Sequence, residues 1–162
     1  MGSQGVIEEH RQAGRLVSIG GLDTFVRESG QGEPVVCIHG VPTSSFLYRK
    51  VLDGLREEGL RGFAFDLPGL GLSDRPEDFD YTWTGLGNFT GYLVETLELD
   101  SFHLVVHDIG GPIGFELAHH KTEAIQSLTI LNTMIRVHEF RRPWPMKPFA
   151  YPGLGKLWLS GM

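Results

Sequence analysis

Polar and apolar positions alternate from Arg15 to Ile19 and again from Asp23 to Glu28, on either side of Gly20-Gly21, and this period of two predicts an opening hairpin of half-buried strands. The residues before it, Met1 to Gly14, follow neither the helical nor the strand period and are expected to be irregular. Four short runs then read as buried strands: Val35 to Ile38, Arg61 to Asp66, Ser101 to His107, and Ser127 to Leu131. Between them the spacing turns helical. Phe46, Leu47, Val51, Leu52 and Leu55 recur on one face from about Ser45 to Glu58, with Gly59 to close the helix. A second helix is predicted between Tyr81 and Leu97, and a third from Gly111 to about Lys121. Strands alternating with helices imply an α/β fold built on a mostly parallel sheet.

After Thr133 the pattern changes. Met134 to Met162 carries Pro143, Pro145, Pro148 and Pro152 among Trp144, Phe149, Tyr151, Leu154, Leu157 and Trp158, and no further strand is visible. Residues 1–133 are therefore expected to form one core unit and residues 134–162 to begin a second region. The sequence holds no internal repeat and no low-complexity tract.

A chain of 162 residues, 41% hydrophobic and 21% charged, is long enough for one domain with a core. The formal charge of −6, without a basic cluster denser than Arg141-Arg142, argues against nucleic acid or an anionic membrane surface as a partner. The single cysteine, Cys37, lies in an apolar run, excludes an intramolecular disulfide and fits a reducing cytoplasm. No stretch approaches the length of a membrane span, and the first residues lack a secretory apolar region, so export is not expected. No ligand-set spacing of His, Cys and Asp is present, and Gly69-Leu-Gly71 lacks the rest of a dinucleotide fingerprint, so no cofactor and no metal are expected.

The chemistry concentrates in Leu104-Val-Val-His-Asp108-Ile-Gly-Gly-Pro-Ile-Gly114, which reads as a buried strand, a sharp turn at a carboxylate and a helix start. An isolated Asp before Gly-Gly would ordinarily cap a helix. Here it occurs with His39-Gly-Val-Pro-Thr-Ser-Ser45 and Asp66-Leu-Pro-Gly-Leu-Gly-Leu-Ser-Asp74, in that order along the chain. Together the three motifs resemble the α/β-hydrolase fold family, specifically its members with an aspartate nucleophile, such as epoxide hydrolases and haloalkane dehalogenases. The serine version of the turn reads G-x-S-x-G, and the corresponding positions here are Val106-His107-Asp108-Ile109-Gly110.

The resemblance implies that Asp108 attacks an electrophilic sp³ carbon and leaves an alkyl ester on the enzyme, which water then cleaves through a tetrahedral oxyanion. It also implies that the backbone N–H groups of Val41 and Ile109 form the oxyanion hole, with His39, Gly40, Gly110 and Gly111 as the supporting loop. Losing one such donor typically costs about 2.7–4 kcal/mol of transition-state stabilisation. His107 precedes the nucleophile on a strand and should point to the opposite side, while His39 reads as a loop-organising hydrogen-bonder. His119 and His120 fall about 16–18 Å along the helix from Asp108 at ~1.5 Å per residue, too far to serve it.

By the same resemblance, residues 134–162 begin a helical cap, and the catalytic acid and histidine follow the nucleophile in the chain, beyond Met162. The 162 residues then read as a fragment whose own turnover is not expected. Haloalkane dehalogenases commonly place halide-holding Trp and Asn side chains where this chain has Ile109 and Val41, so the expectation favours epoxide hydrolase-like chemistry on a small apolar electrophile and water. The alternatives are a haloalkane dehalogenase-like hydrolase, or a non-catalytic binding module that kept the fold.

Overall fold

In a computed structural model, which describes residues 3–136 together with 139 and 141, six strands form one sheet in the order β1-β2-β4-β3-β5-β6. The chain begins with helix α1 (Ser3–Gln12), followed by β1 (Gly14–Ile19), β2 (Leu22–Ser29) and β3 (Pro34–Ile38). A 3₁₀ turn (Ser45–Tyr48) leads into α2 (Arg49–Glu57), then β4 (Arg61–Phe65), α3 (Trp83–Thr96), β5 (Phe102–His107), α4 (Gly110–His120) and β6 (Ile125–Leu131). The β1–β2 hairpin and the β2–β4 pair are antiparallel, and β4, β3, β5 and β6 run parallel. This is the expected mostly parallel α/β sheet, and it carries its crossover helices on both faces.

The two faces have separate cores. One gathers Val36, Ile38, Phe63, Phe65, Leu104 and Val106 from the strands with Phe89, Leu93, Ile113 and Leu117 from α3 and α4. The other is smaller, with Val35, Cys37 and Ala64 under Tyr48 and Leu52 of the α2 side. Strands β3 and β4 therefore bury both faces, which is why their sequences are continuous apolar runs rather than alternating ones. Cys37 is wholly buried, and burial pushes its thiol up to about 12.

Three expectations need correction. The segment before the hairpin is a helix, α1, whose only large apolar residues are the adjacent Val6 and Ile7, with no repeating apolar stripe. The helix expected from Ser45 starts as a 3₁₀ turn, capped by the Ser44 hydroxyl accepting from Phe46 N–H, and becomes α-helical at Arg49. The strand expected to be buried from Ser127 is β6, which starts at Ile125 and is, among the described residues, one of the sheet's two outer strands, with Leu128, Ile130 and Leu131 38%, 45% and 41% exposed. The expected cap, residues 134–162, lies almost wholly outside the described residues.

Candidate active site

Strand β5, flanked by β3 and β6, delivers Asp108 to the carboxyl edge of the parallel strands, where ligand sites of open α/β sheets form. Phe102, Leu104 and Val106 anchor β5 in the larger core, so the alternate residue His107 faces the opposite side of the sheet. Asp108 then adopts a left-handed backbone with φ 54, a conformation costing on the order of 1–3 kcal/mol for a residue with a side chain. Its surroundings hold it there. Gly111 N–H donates to the Asp108 carbonyl at 3.1 Å, and the Thr133 hydroxyl donates to the same oxygen.

The glycines around this turn are dictated by contact. A side chain at Gly40 would collide with the Asp108 side chain, one at Gly110 with the backbone carbonyls of Ile38 and His39, and one at Gly111 with Thr133. The strand-to-helix corner thus lies directly on the loop after β3. From that loop Val41 N–H donates to Asp108 Oδ1 at 2.9 Å. Ile109 opens α4 directly behind Asp108, and among the described residues its amide makes no hydrogen bond to the carboxylate.

His39 organises the loop through both ring nitrogens. Nδ1 lies 2.8 Å from the Gly40 carbonyl, which can only accept, so this nitrogen carries the proton and leaves Nε2 to accept from Leu67 N–H at 3.0 Å. Burial lowers its pKa; the Gly40 carbonyl and Asp66 oppose that effect, and His107 adds to it. A neutral ring with two fixed partners is a strut. It is not free to shuttle a proton to Asp108.

Asp66 is a buried carboxylate that ties three segments together. Oδ1 accepts from Ser45 N–H at 2.6 Å, Oδ2 accepts from Leu72 N–H at 2.7 Å, and its carbonyl accepts from the Ser73 hydroxyl at 2.7 Å. Ser73 Oγ in turn accepts from Phe25 N–H on β2. The Asp66–Asp74 motif is therefore the brace of the loop after β3, not a generic turn. A cleft of about 500 Å³ adjoins this loop, lined in part by Pro42, Phe46, Arg49, Gly71 and Arg75, and Asp108 is not part of its lining.

Asp108, Val41, Gly40, Gly110 and Gly111 are thus brought into one cluster, with His39 supporting it from beneath. Sequence reading missed Thr133 and the roles of Asp66 and Ser45. Thr133 lies 25 residues from Asp108 in an undistinguished position after β6, and nothing in its local sequence marks it. Among the described residues no three His, Cys, Asp or Glu side chains gather as a metal-ligand set, and no helix is long and apolar enough to cross a membrane.

A mostly parallel sheet with crossover helices on both faces and a left-handed strand-to-helix turn at its carboxyl edge fits the alpha/beta hydrolase fold. The family model for the alpha/beta hydrolase fold matches residues 33–160, and the chain belongs to this family. It is 42% identical over 107 residues to a cis-3-alkyl-4-alkyloxetan-2-one decarboxylase of Shewanella oneidensis, covering 64% of this chain and 33% of that protein. It is 32% identical over 133 residues to haloalkane dehalogenase 2 of Mycobacterium bovis, covering 82% of this chain and 43% of that protein. The epoxide hydrolase VrEH1 of Vigna radiata superposes with a TM-score of 0.69 at 30% identity, over 72% of this chain and 37% of the enzyme. The chain therefore spans from a third to less than half of the length of these relatives.

Proposed function

We propose that this chain carries the nucleophile half of a hydrolase that opens a small, largely apolar epoxide through an alkyl ester on Asp108. A carboxylate oxygen of Asp108 attacks a ring carbon, the carbon–oxygen ring bond breaks, and the alkoxide takes up a proton to become a hydroxyl. Water then adds to the carboxyl carbon. Negative charge develops on the former carbonyl oxygen, and collapse releases a diol and regenerates the carboxylate. The observation that carries this reading is the 2.9 Å hydrogen bond from Val41 N–H to Asp108 Oδ1, because it supports that oxygen as the one on which the oxyanion forms. Ile109 is assigned as the second donor, its amide turning to the oxygen as charge builds.

The side chains of Ile109 and Val41 have no donor with which to hold a departing halide, which favours ring opening over dehalogenation. The name of the Shewanella oneidensis relative points the same way, since an oxetan-2-one is also a strained oxygen-containing ring. We assign the acid and the water-activating histidine to sequence outside these 162 residues, with solvent water protonating the alkoxide, so the chain alone should form the ester and hydrolyse it only slowly. Its partners are then a small electrophile and water, with no cofactor, and its single free thiol suits the cytoplasm.

The test is intact-protein mass spectrometry after incubation with a simple aryl or alkyl epoxide. The expected result is a stoichiometric adduct of the epoxide's mass mapping to Asp108, absent in Asp108→Ala, with diol released far more slowly than the adduct forms. An adduct that survives in Asp108→Ala removes the nucleophile assignment. Faster labelling by bromoalkanes than by epoxides reverses the ranking of substrates.

A further inference from the structure

Helix α1 docks on the sheet through a histidine. His10 is 5% exposed, whereas Ile7 on the same helix is 53% exposed, so the helix buries a histidine and leaves an isoleucine in water. The His10 ring stands between Phe25 of β2 and Phe46 of the 3₁₀ turn, with ring centroids 5.2 and 5.1 Å away. Its Nδ1 lies 3.2 Å from Arg27 Nη1, and its Nε2 lies 3.1 Å from Ser45 Oγ.

These partners fix the proton. A guanidinium can only donate, so Nδ1 must accept and is bare, and the single proton of the neutral ring sits on Nε2, where it donates to the Ser45 hydroxyl. Ser45 is wholly buried, and its N–H is held by Asp66 Oδ1. It ends the segment that begins with Gly40 and Val41, within which Thr43 N–H and Thr43 Oγ1 both donate to the Gly40 carbonyl. Motion at Ser45 therefore reaches the Val41 amide through a short, internally bonded loop.

We propose that His10 is a positioning residue for the oxyanion loop: as the Nε2-protonated neutral ring it clamps Ser45, and through Ser45 it sets where the Val41 amide lies relative to Asp108. The role in catalysis rests on the assignment of Val41 as an oxyanion donor. The mechanical link does not. The charged groups facing His10 are Arg27 of β2, Arg49 of α2 and Asp66 after β4, and Arg27 is itself 3.9 Å from Asp53 of α2. Protonating the ring would place an N–H against the Arg27 N–H and a positive charge beside two guanidiniums, with Asp66 as the opposing charge.

Burial first, then Arg27 and Arg49, hold the His10 pKa below its ordinary 6.5, and Asp66 acts in the other direction. The unfolded chain therefore takes up this proton before the folded one, so the clamp contributes fully above about pH 6.5 and is lost as pH falls below that value. Undocking from this cause belongs to mildly acid solution.

Hydrogen–deuterium exchange of the chain at about pH 7.5 and about pH 5 tests the link, with each peptide compared with His10→Gln at the same pH so that intrinsic exchange cancels. Gln offers an N–H near the Nε2 position and cannot become charged. The expected result is that protection of residues 39–48 falls severalfold on acidification in the wild type, relative to residues 102–107, and stays level in His10→Gln. If that variant does not fold, the wild-type ratio of the two segments still decides. An unchanged ratio, or nitrogen NMR showing the neutral ring protonated at Nδ1, overturns the proposal.

The ester on Asp108 supplies the catalytic readout. Its formation needs no oxyanion hole and its hydrolysis does, so His10→Gln should leave adduct formation intact and flatten the acid limb of the slow adduct hydrolysis. Loss of formation and hydrolysis together would mark His10 as merely structural and overturn the positioning role. Absence of any adduct in the wild type would instead defeat the Asp108 assignment, and the exchange data would still decide the clamp.

Discussion

The two flanks of the sheet are made of similar residues and end in different environments. At the β1–β2 end the edge strand β1 leaves Leu16 57% exposed, but Ile19, Phe25 and Val26 are 0–2% exposed, covered by α1 and by the loop after β4, where Asp23 N–H donates to the Asp74 carboxylate and Asp74 N–H to the Asp23 carbonyl. At the β6 end, Leu128, Ile130 and Leu131 pair with β5 along one edge and remain 38–45% exposed. Both flanks satisfy the strand pattern. What separates them is whether a second layer lies within the described residues, and that is a property of the rest of the fold, not of the strand's own sequence. The candidate nucleophile turn sits where the two regimes meet, since Asp108 is gripped by Val41 from the sealed side and by Thr133 from the open side.

The comparison breaks most readily in stability. Leu104 is wholly buried in β5 and Leu128 is its registered neighbour in β6, so equal truncations one strand apart should give unequal losses. Leu104→Ala is expected to cost about 2–5 kcal/mol, the range for a buried leucine. Leu128→Ala should cost about 0.5 kcal/mol or less, as exposed positions do. Urea unfolding followed by tryptophan fluorescence measures both, and the buried Cys37 thiol, unreactive in the folded chain, provides a second probe of opening. Equal losses would mean that the β6 face is packed.

A sharper cut goes through the turn itself. Thr133→Val keeps the shape that fills the space beside Gly111 but removes the donor to the Asp108 carbonyl, which keeps its bond from Gly111 N–H. The expected loss is about 1 kcal/mol, the net worth of one hydrogen bond with its acceptor still satisfied. Epoxide labelling of Asp108 should slow in the same variant, because the left-handed backbone loses one of its two clamps. Unchanged stability and labelling would show that Gly111 suffices.

Much of this was legible from the residues alone, for reasons that also explain the failures. Strands β3, β4 and β5 announce themselves because they are buried on both faces or carry strict alternation, and Asp108 stands out because Gly110 and Gly111 follow it where a helix must pass close to backbone and to Thr133. Helix α1 was not legible, since a helix that buries one histidine has no apolar stripe to read. The brace around the site was hidden by distance along the chain. His10 meets Ser45 across 35 residues, Ser45 meets Asp66 across 21, and Thr133 meets Asp108 across 25, and no local period encodes such pairs. The burial of β6 was misjudged because an apolar strand looks the same with or without a neighbour.

The smallest effect on stability should accompany a visible effect on association. Leu128 and Ile130 project from one face of β6 two residues apart, and the strand's edge, unpaired among the described residues, presents N–H and C=O groups beside them. An exposed apolar edge of this kind is a template for pairing with another chain, and lysines are the usual device for blunting one. The double variant Leu128→Lys with Ile130→Lys removes exposed apolar surface and adds two positive charges to a chain of formal charge −6, leaving −4. Stability should change by no more than about 0.5 kcal/mol, because neither side chain is buried. Sedimentation velocity over a range of concentrations should show the wild type associating and the variant shifted toward monomer at the same ionic strength. Identical sedimentation of the two would mean that the β6 edge is not sticky. A loss of several degrees in Tm would show that this flank is covered like the other, and the contrast between the two ends of the sheet would then disappear.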